Sequence, residues 1–99
     1  MIEHIVLFKF SEKTTEEEKA EGARRLCHLK EILPGILDIQ AGKNFSDRNK
    51  GFSMALTVRF RSKADLENYT PSAEHQACVA YLKEVGLVDD INVDFEINE

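Results

Sequence analysis

The chain has 99 residues, 42% of them hydrophobic and 31% charged, which suits one compact core and leaves no room for separate catalytic and substrate domains. No apolar run approaches the roughly 18 residues a membrane helix needs, and no basic stretch precedes the apolar start, so a cytoplasmic protein with no membrane partner is expected. The net charge of −5 comes without a basic block, which argues against nucleic acid as a partner.

Residues 2–10 alternate: Ile2, His4, Val6, Phe8 and Phe10 on one side, Glu3, Ile5, Leu7 and Lys9 on the other. This predicts a strand with two largely apolar faces. Thr14-Thr15-Glu16-Glu17-Glu18 reads as a helix start, with a capping box available from either threonine and acids set against the N-terminal dipole. The helix is expected to run to about Leu33, with Pro34-Gly35 stopping it. Gly22 in its middle, a residue that costs about 1 kcal/mol relative to Ala, admits a close approach to another backbone or a ligand but reads rather as plain tolerance.

A second strand is expected from Gly35 to about Phe45, a polar turn at 46–51, and a third strand from Phe52 to Arg61. Ser62 opens a short helix to about Tyr69, Pro71 breaks it, and a longer helix runs from about Ser72 to Val85 with Gly86 as C-cap. Ile91, Val93, Phe95 and Ile97 alternate with Asn92, Asp94 and Glu96 to give a final strand, its apolar residues assigned to the helix side. Cys27 and Cys78 fall on or beside apolar helix faces and read as reduced buried thiols.

The order β-α-β-β-α-β is the split βαβ or ferredoxin-like pattern of an α+β fold. It implies an antiparallel sheet with helices on one face and strands one and three at its centre. The uncovered face would carry Ile5 and Leu7, with Leu37 and Ile39 or Ile36 from strand two. A monomer seldom leaves such a patch open to water, so a homodimer through this face is expected. The acidic excess is local: Asp89, Asp90, Asp94, Glu96 and Glu99 meet no Lys or Arg in the last eleven residues. With Asp94 and Glu96 assigned to the dimer face beside Arg59 and Arg61, some of these four groups are expected to pair at the interface.

Titratable candidates for chemistry are few. His28 reads as a partly exposed surface residue. His4, among Val6, Phe8 and Phe10, reads as a core histidine satisfied by one hydrogen bond. His75 falls at the edge of the apolar stripe that includes Cys78 and Leu82, where it would line a cavity mouth. Tyr69 lies six residues earlier, and the Pro71 bend would return its hydroxyl toward the His75 ring. A histidine near neutral pKa can take a proton from a carbon beside a carbonyl while a phenol polarises the carbonyl oxygen. His75 and Tyr69 are therefore the catalytic candidates, and His4, Val6, Phe8 and Leu82 the ligand-binding ones. Ser72 reads as a helix cap, and no phosphate loop, dinucleotide fingerprint or metal-ligand spacing is present.

Together, His4-Ile5-Val6-Leu7-Phe8-Lys9-Phe10, Leu33-Pro34-Gly35-Ile36, Gly42-Lys43-Asn44, Phe52-Ser53-Met54-Ala55-Leu56 and Leu66-Glu67-Asn68-Tyr69 with His75 resemble the stress-responsive dimeric α/β-barrel (Dabb) domain over nearly the full chain. The resemblance implies cofactor-free homodimers whose two sheets close a barrel, many with no established activity. One branch comprises plant polyketide cyclases, which use a Tyr and a His six residues apart with a further His on the first strand. Tyr69, His75 and His4 occupy those positions. The chain departs from the family at Ser72-Ala73, where a His-Pro pair is common. Two readings follow from the resemblance. The first is a stress-related homodimer binding a small apolar or aromatic molecule between sheet and helices, and the second a cyclase or isomerase with His75 as general base. The haem-degrading relatives resemble one another in a Trp-containing set, and this chain has no Trp.

Overall fold

A computed structural model describes residues 1–98. The strands are β1 (Ile2–Phe10), β2 (Ile36–Lys43), β3 (Phe52–Phe60) and β4 (Leu87–Glu96), and the helices α1 (Glu16–His28), α2 (Lys63–Tyr69) and α3 (Ala73–Val85). All pairings are antiparallel in the order β2-β3-β1-β4, so β1 and β3 are central as expected, and β2 and β4 are edges.

Local sequence accounts for each boundary. Thr15 caps α1, its hydroxyl accepting from the Glu18 amide while the Glu18 carboxylate accepts from the Thr15 amide. The helix stops at His28, five residues short of the expected Leu33, because Leu29–Glu31 tighten into a 3-10 turn before Pro34. Ser62 caps α2, Ser72 caps α3, and Gly86 ends α3 at φ 123°, a backbone conformation that side-chain-bearing residues rarely adopt. Gly22 does more than expected. It is buried where α1 crosses α3, and a Cβ there would lie 2.5 Å from Leu82 Cδ2, so its lack of a side chain sets how closely the helices approach.

The core lies between sheet and helices. Ile2, Val6, Phe8 and Phe10 of β1 and Met54, Leu56, Val58 and Phe60 of β3 meet Leu26, Leu29, Tyr69, Cys78 and Leu82. Ile36 and Ile39 belong to this core, with Ile39 opposite Val58. Of the strand-two residues assigned to the open patch only Leu37, 44% exposed, is on it, because an irregularity between Ile36 and Asp38 shifts the alternation. Cys27 and Cys78 are unbridged, and burial pushes both thiols above their ordinary range.

Strand β4 is turned over relative to the expectation. Its register sets Asn92 opposite Val6, Asp94 opposite His4 and Glu96 opposite Ile2, all on the helix side. Ile91, Val93 and Phe95 sit opposite Leu7, Ile5 and Glu3 on the open face, each more than two-fifths exposed. The rule that apolar residues face the helices fails because β4 is an edge strand that the helices barely cover. The expected pairing of Arg59 and Arg61 with Asp94 and Glu96 fails with it. Arg59 Nε donates to Glu3 at 2.9 Å and Arg61 Nε to Asp65 at 3.4 Å, while Asp94 serves His4.

Candidate functional site

Three aromatic side chains foreseen as a group converge where β1, the end of α2 and the start of α3 meet. The Tyr69 and His75 ring centroids are 4.5 Å apart, those of Tyr69 and His4 6.0 Å in an edge-on arrangement, and Tyr69 and Phe60 5.0 Å. The Ser72-Ala73 departure leaves the two rings adjacent. Ser72 itself ties the bend, its hydroxyl donating to the Tyr69 carbonyl at 2.7 Å and accepting from the His75 amide at 3.2 Å.

Each ring is held by a different contact. His4 is buried at 6% exposure; its Nδ1 donates to the Asp94 carboxylate across the β1–β4 ladder, since an ionised carboxylate can only accept. The expected single hydrogen bond is present, with a partner that the assumed orientation of β4 had placed on the other face. His75 is half-buried, and its Nδ1 donates to the Thr70 carbonyl at 2.9 Å. Burial lowers the His75 pKa; the bond to Thr70 opposes this and His4 adds to the lowering. The ring is therefore neutral near pH 7, with Nε2 an unprotonated acceptor. Burial pushes Tyr69 well above the ordinary phenol range, and the Cys78 and Cys27 thiols lie close enough to add to it. Its hydroxyl is buried and, among the described residues, finds no hydrogen-bond partner.

A narrow cavity of about 60 Å³ opens beside these groups, lined by His4, Val6, Phe8, His75 and Leu82 together with Asp90 and Asn92 of β4. Five of the six candidate site residues thus border one space. Tyr69 is the exception: its ring is tilted against His75, but it does not line this cavity. Asn92 and Asp94 were missed as site residues because their side chains were assigned to the opposite face, and Asp90 because no face was assigned to it. The pairing of a strand-one histidine with an acid on the neighbouring strand was the signal available. No group of three or more potential metal ligands occurs among the described residues, and no helix among them is long and apolar enough to cross a membrane.

An antiparallel sheet covered on one face by helices, with a histidine-lined cleft between the layers, defines a ferredoxin-like α+β protein. The chain belongs to the Dabb family, the stress responsive A/B barrel domain, whose model matches residues 2–97. Over 76 residues it is 28% identical to the olivetolic acid cyclase of Cannabis sativa, covering 75% of each chain. It is 38% identical over 64 residues to a stress-response A/B barrel domain-containing protein of Arabidopsis thaliana; that match covers 64% of this chain but only 24% of the Arabidopsis protein. A dimeric ferredoxin-like protein from Bacteroides fragilis superposes with a TM-score of 0.78 at 27% identity, over 97% of this chain and 95% of the other.

Proposed function

We propose that the chain works as a homodimer that binds a small apolar or aromatic molecule in the cleft between sheet and helices, with His4 and His75 reading its polar group. The observation that carries this reading is the placement of two buried or half-buried imidazoles, each fixed by its own acceptor, on the wall of one apolar cavity. Convergent polar groups in an apolar pocket are the usual makings of a small-molecule site, although such pockets generally reach about 300 Å³ or more. A ligand larger than the cavity therefore requires one of its walls to move outward. The homodimer is supported by the exposed row Ile91, Val93 and Phe95 beside Ile5 and Leu7, an apolar patch that a second copy would cover. The dimeric description of the Bacteroides relative points the same way.

A second reading, catalysis, is favoured by the His75 tautomer. With Nδ1–H committed to Thr70, Nε2 can take a proton from a carbon beside a carbonyl. The resulting enolate would attack a second carbonyl of the same molecule, form a carbon–carbon bond and recover a proton from the imidazolium. The olivetolic acid cyclase relative makes such cyclisation the natural reaction class. Tyr69 supports this reading less, because its hydroxyl lies outside the cavity.

Side-chain NMR of the two histidines during titration with para-hydroxyacetophenone tests binding. Saturable shifts of His4 and His75, lost in His75→Ala, are expected; shifts that miss both rings refute the cleft.

A further inference from the structure

A larger cavity lies elsewhere on the covered face of the sheet, between the first two turns of α1 and the β2–β3 pair. Its volume is about 240 Å³, and its walls are Ala20 and Ala23 of α1, Ala41 and Gly42 of β2, and Ser53 and Met54 of β3. None of these residues borders the His75 cleft. The space has a simple origin in the sequence. Four of the six wall positions carry a methyl group or nothing, so helix and sheet leave a gap that larger side chains would fill.

Two features give this gap the character of a site. Its mouth is charged by Glu16, Lys19 and Lys43, and both ammonium groups lean on one Glu16 oxygen, at 3.7 and 3.9 Å. These distances are too long for hydrogen bonds, and one positive charge is left over. The second feature is Ser53, which falls where the β1–β3 register slips by one residue between Phe8 and Lys9. Its hydroxyl is buried and, among the described residues, unpartnered, a condition that costs about 1–3 kcal/mol unless something supplies the missing bond.

The geometry points to a second small-molecule site, for a monocarboxylate with a compact apolar body such as a single aromatic ring. The carboxylate would sit at the mouth beside Lys19 and Lys43, whose charge Glu16 only half offsets, with the body against the alanines and Met54. The Ser53 hydroxyl would meet a polar atom of the bound molecule as the side chains that cover it part. This site is independent of the His75 cleft, so either can fail without the other.

The test is amide NMR of the intact protein titrated with sodium benzoate, with benzyl alcohol as the uncharged control. Saturable shifts at Ala20, Ala23, Ala41 and Ser53 are expected, with a Kd on the order of 1 mM. Lys43→Gln, an exposed change that leaves the fold alone, should weaken binding about fivefold, the effect of losing one partly exposed pair. Ala23→Leu should abolish it by filling the cavity, and His75→Ala should leave it unchanged. Non-saturating shifts, equal shifts with benzyl alcohol, or shifts confined to the segments around His4 and His75 would overturn the proposal.

Discussion

His4 and Asp94 face each other across the β1–β4 ladder and share a hydrogen bond, so an imidazole beside the sheet's centre is tied to a carboxylate on its edge. Asp94→Asn should cost about 1–2 kcal/mol, the range for a hydrogen bond with one charged member and a partly exposed partner. A double-mutant cycle with His4→Ala, followed by urea denaturation, isolates the pair. A coupling energy below about 0.5 kcal/mol would mean that the two side chains act independently.

His75 should make stability fall on acidification. Its pKa in the folded protein is lowered from 6.5, so the unfolded chain takes up a proton that the folded chain resists. The stabilisation is complete above pH 6.5 and is lost as pH falls through the lower folded value. His75→Gln should flatten that dependence of the urea midpoint. Parallel curves for the two proteins between those limits would rule out the assigned cause.

Gly22→Ala should destabilise despite the better helix propensity of Ala. The new methyl would sit 2.5 Å from Leu82 Cδ2, and overpacking typically costs about 1–3 kcal/mol against a propensity gain of about 1. Combining it with Leu82→Ala should recover part of the loss of the single changes. Strict additivity in thermal unfolding would show that the two sites do not meet.

Tyr69→Phe separates packing from binding. The hydroxyl has no partner among the described residues, so its removal should leave stability unchanged or raise it by about 1 kcal/mol. Affinity for para-hydroxyacetophenone should change less than about twofold if the hydroxyl lies outside the cleft, whereas a loss beyond about tenfold would place it at the ligand.

Val93→Asp should shift the protein from dimer to monomer in sedimentation, because Val93 sits in the exposed row on the open face. Glu96→Lys should not, since Glu96 lies on the helix side opposite Ile2. The reverse pattern would put the subunit contact on the other face.

Element order, the capping residues Thr15, Ser62, Ser72 and Gly86, and the approach of Tyr69 to His75 were legible in the chain, because each rests on local chemistry or short spacing; the joining of His4 to that pair came only through the family resemblance. The facing of β4 was not. Alternation shows that Ile91, Val93 and Phe95 share a side but not which side, and an edge strand under few helical contacts is free to turn its apolar row toward a partner. The roles of Asp94 and Asn92 were hidden by the same ambiguity. The tight crossing at Gly22 depends on Leu82, a contact far along the chain that no local window of sequence contains.

The cleft's plasticity follows from where its walls stand in the sheet. Val6 and Phe8 belong to β1, held by neighbours on both sides, whereas Asp90 and Asn92 belong to β4, which within the chain bonds to β1 alone. The wall easiest to detach is therefore the one that carries Asp94. Local fraying of that strand, visible as faster amide exchange in β4 than in β3, would enlarge the chamber and release the His4 ring in one motion. Access and imidazole orientation would then be governed by a single opening equilibrium.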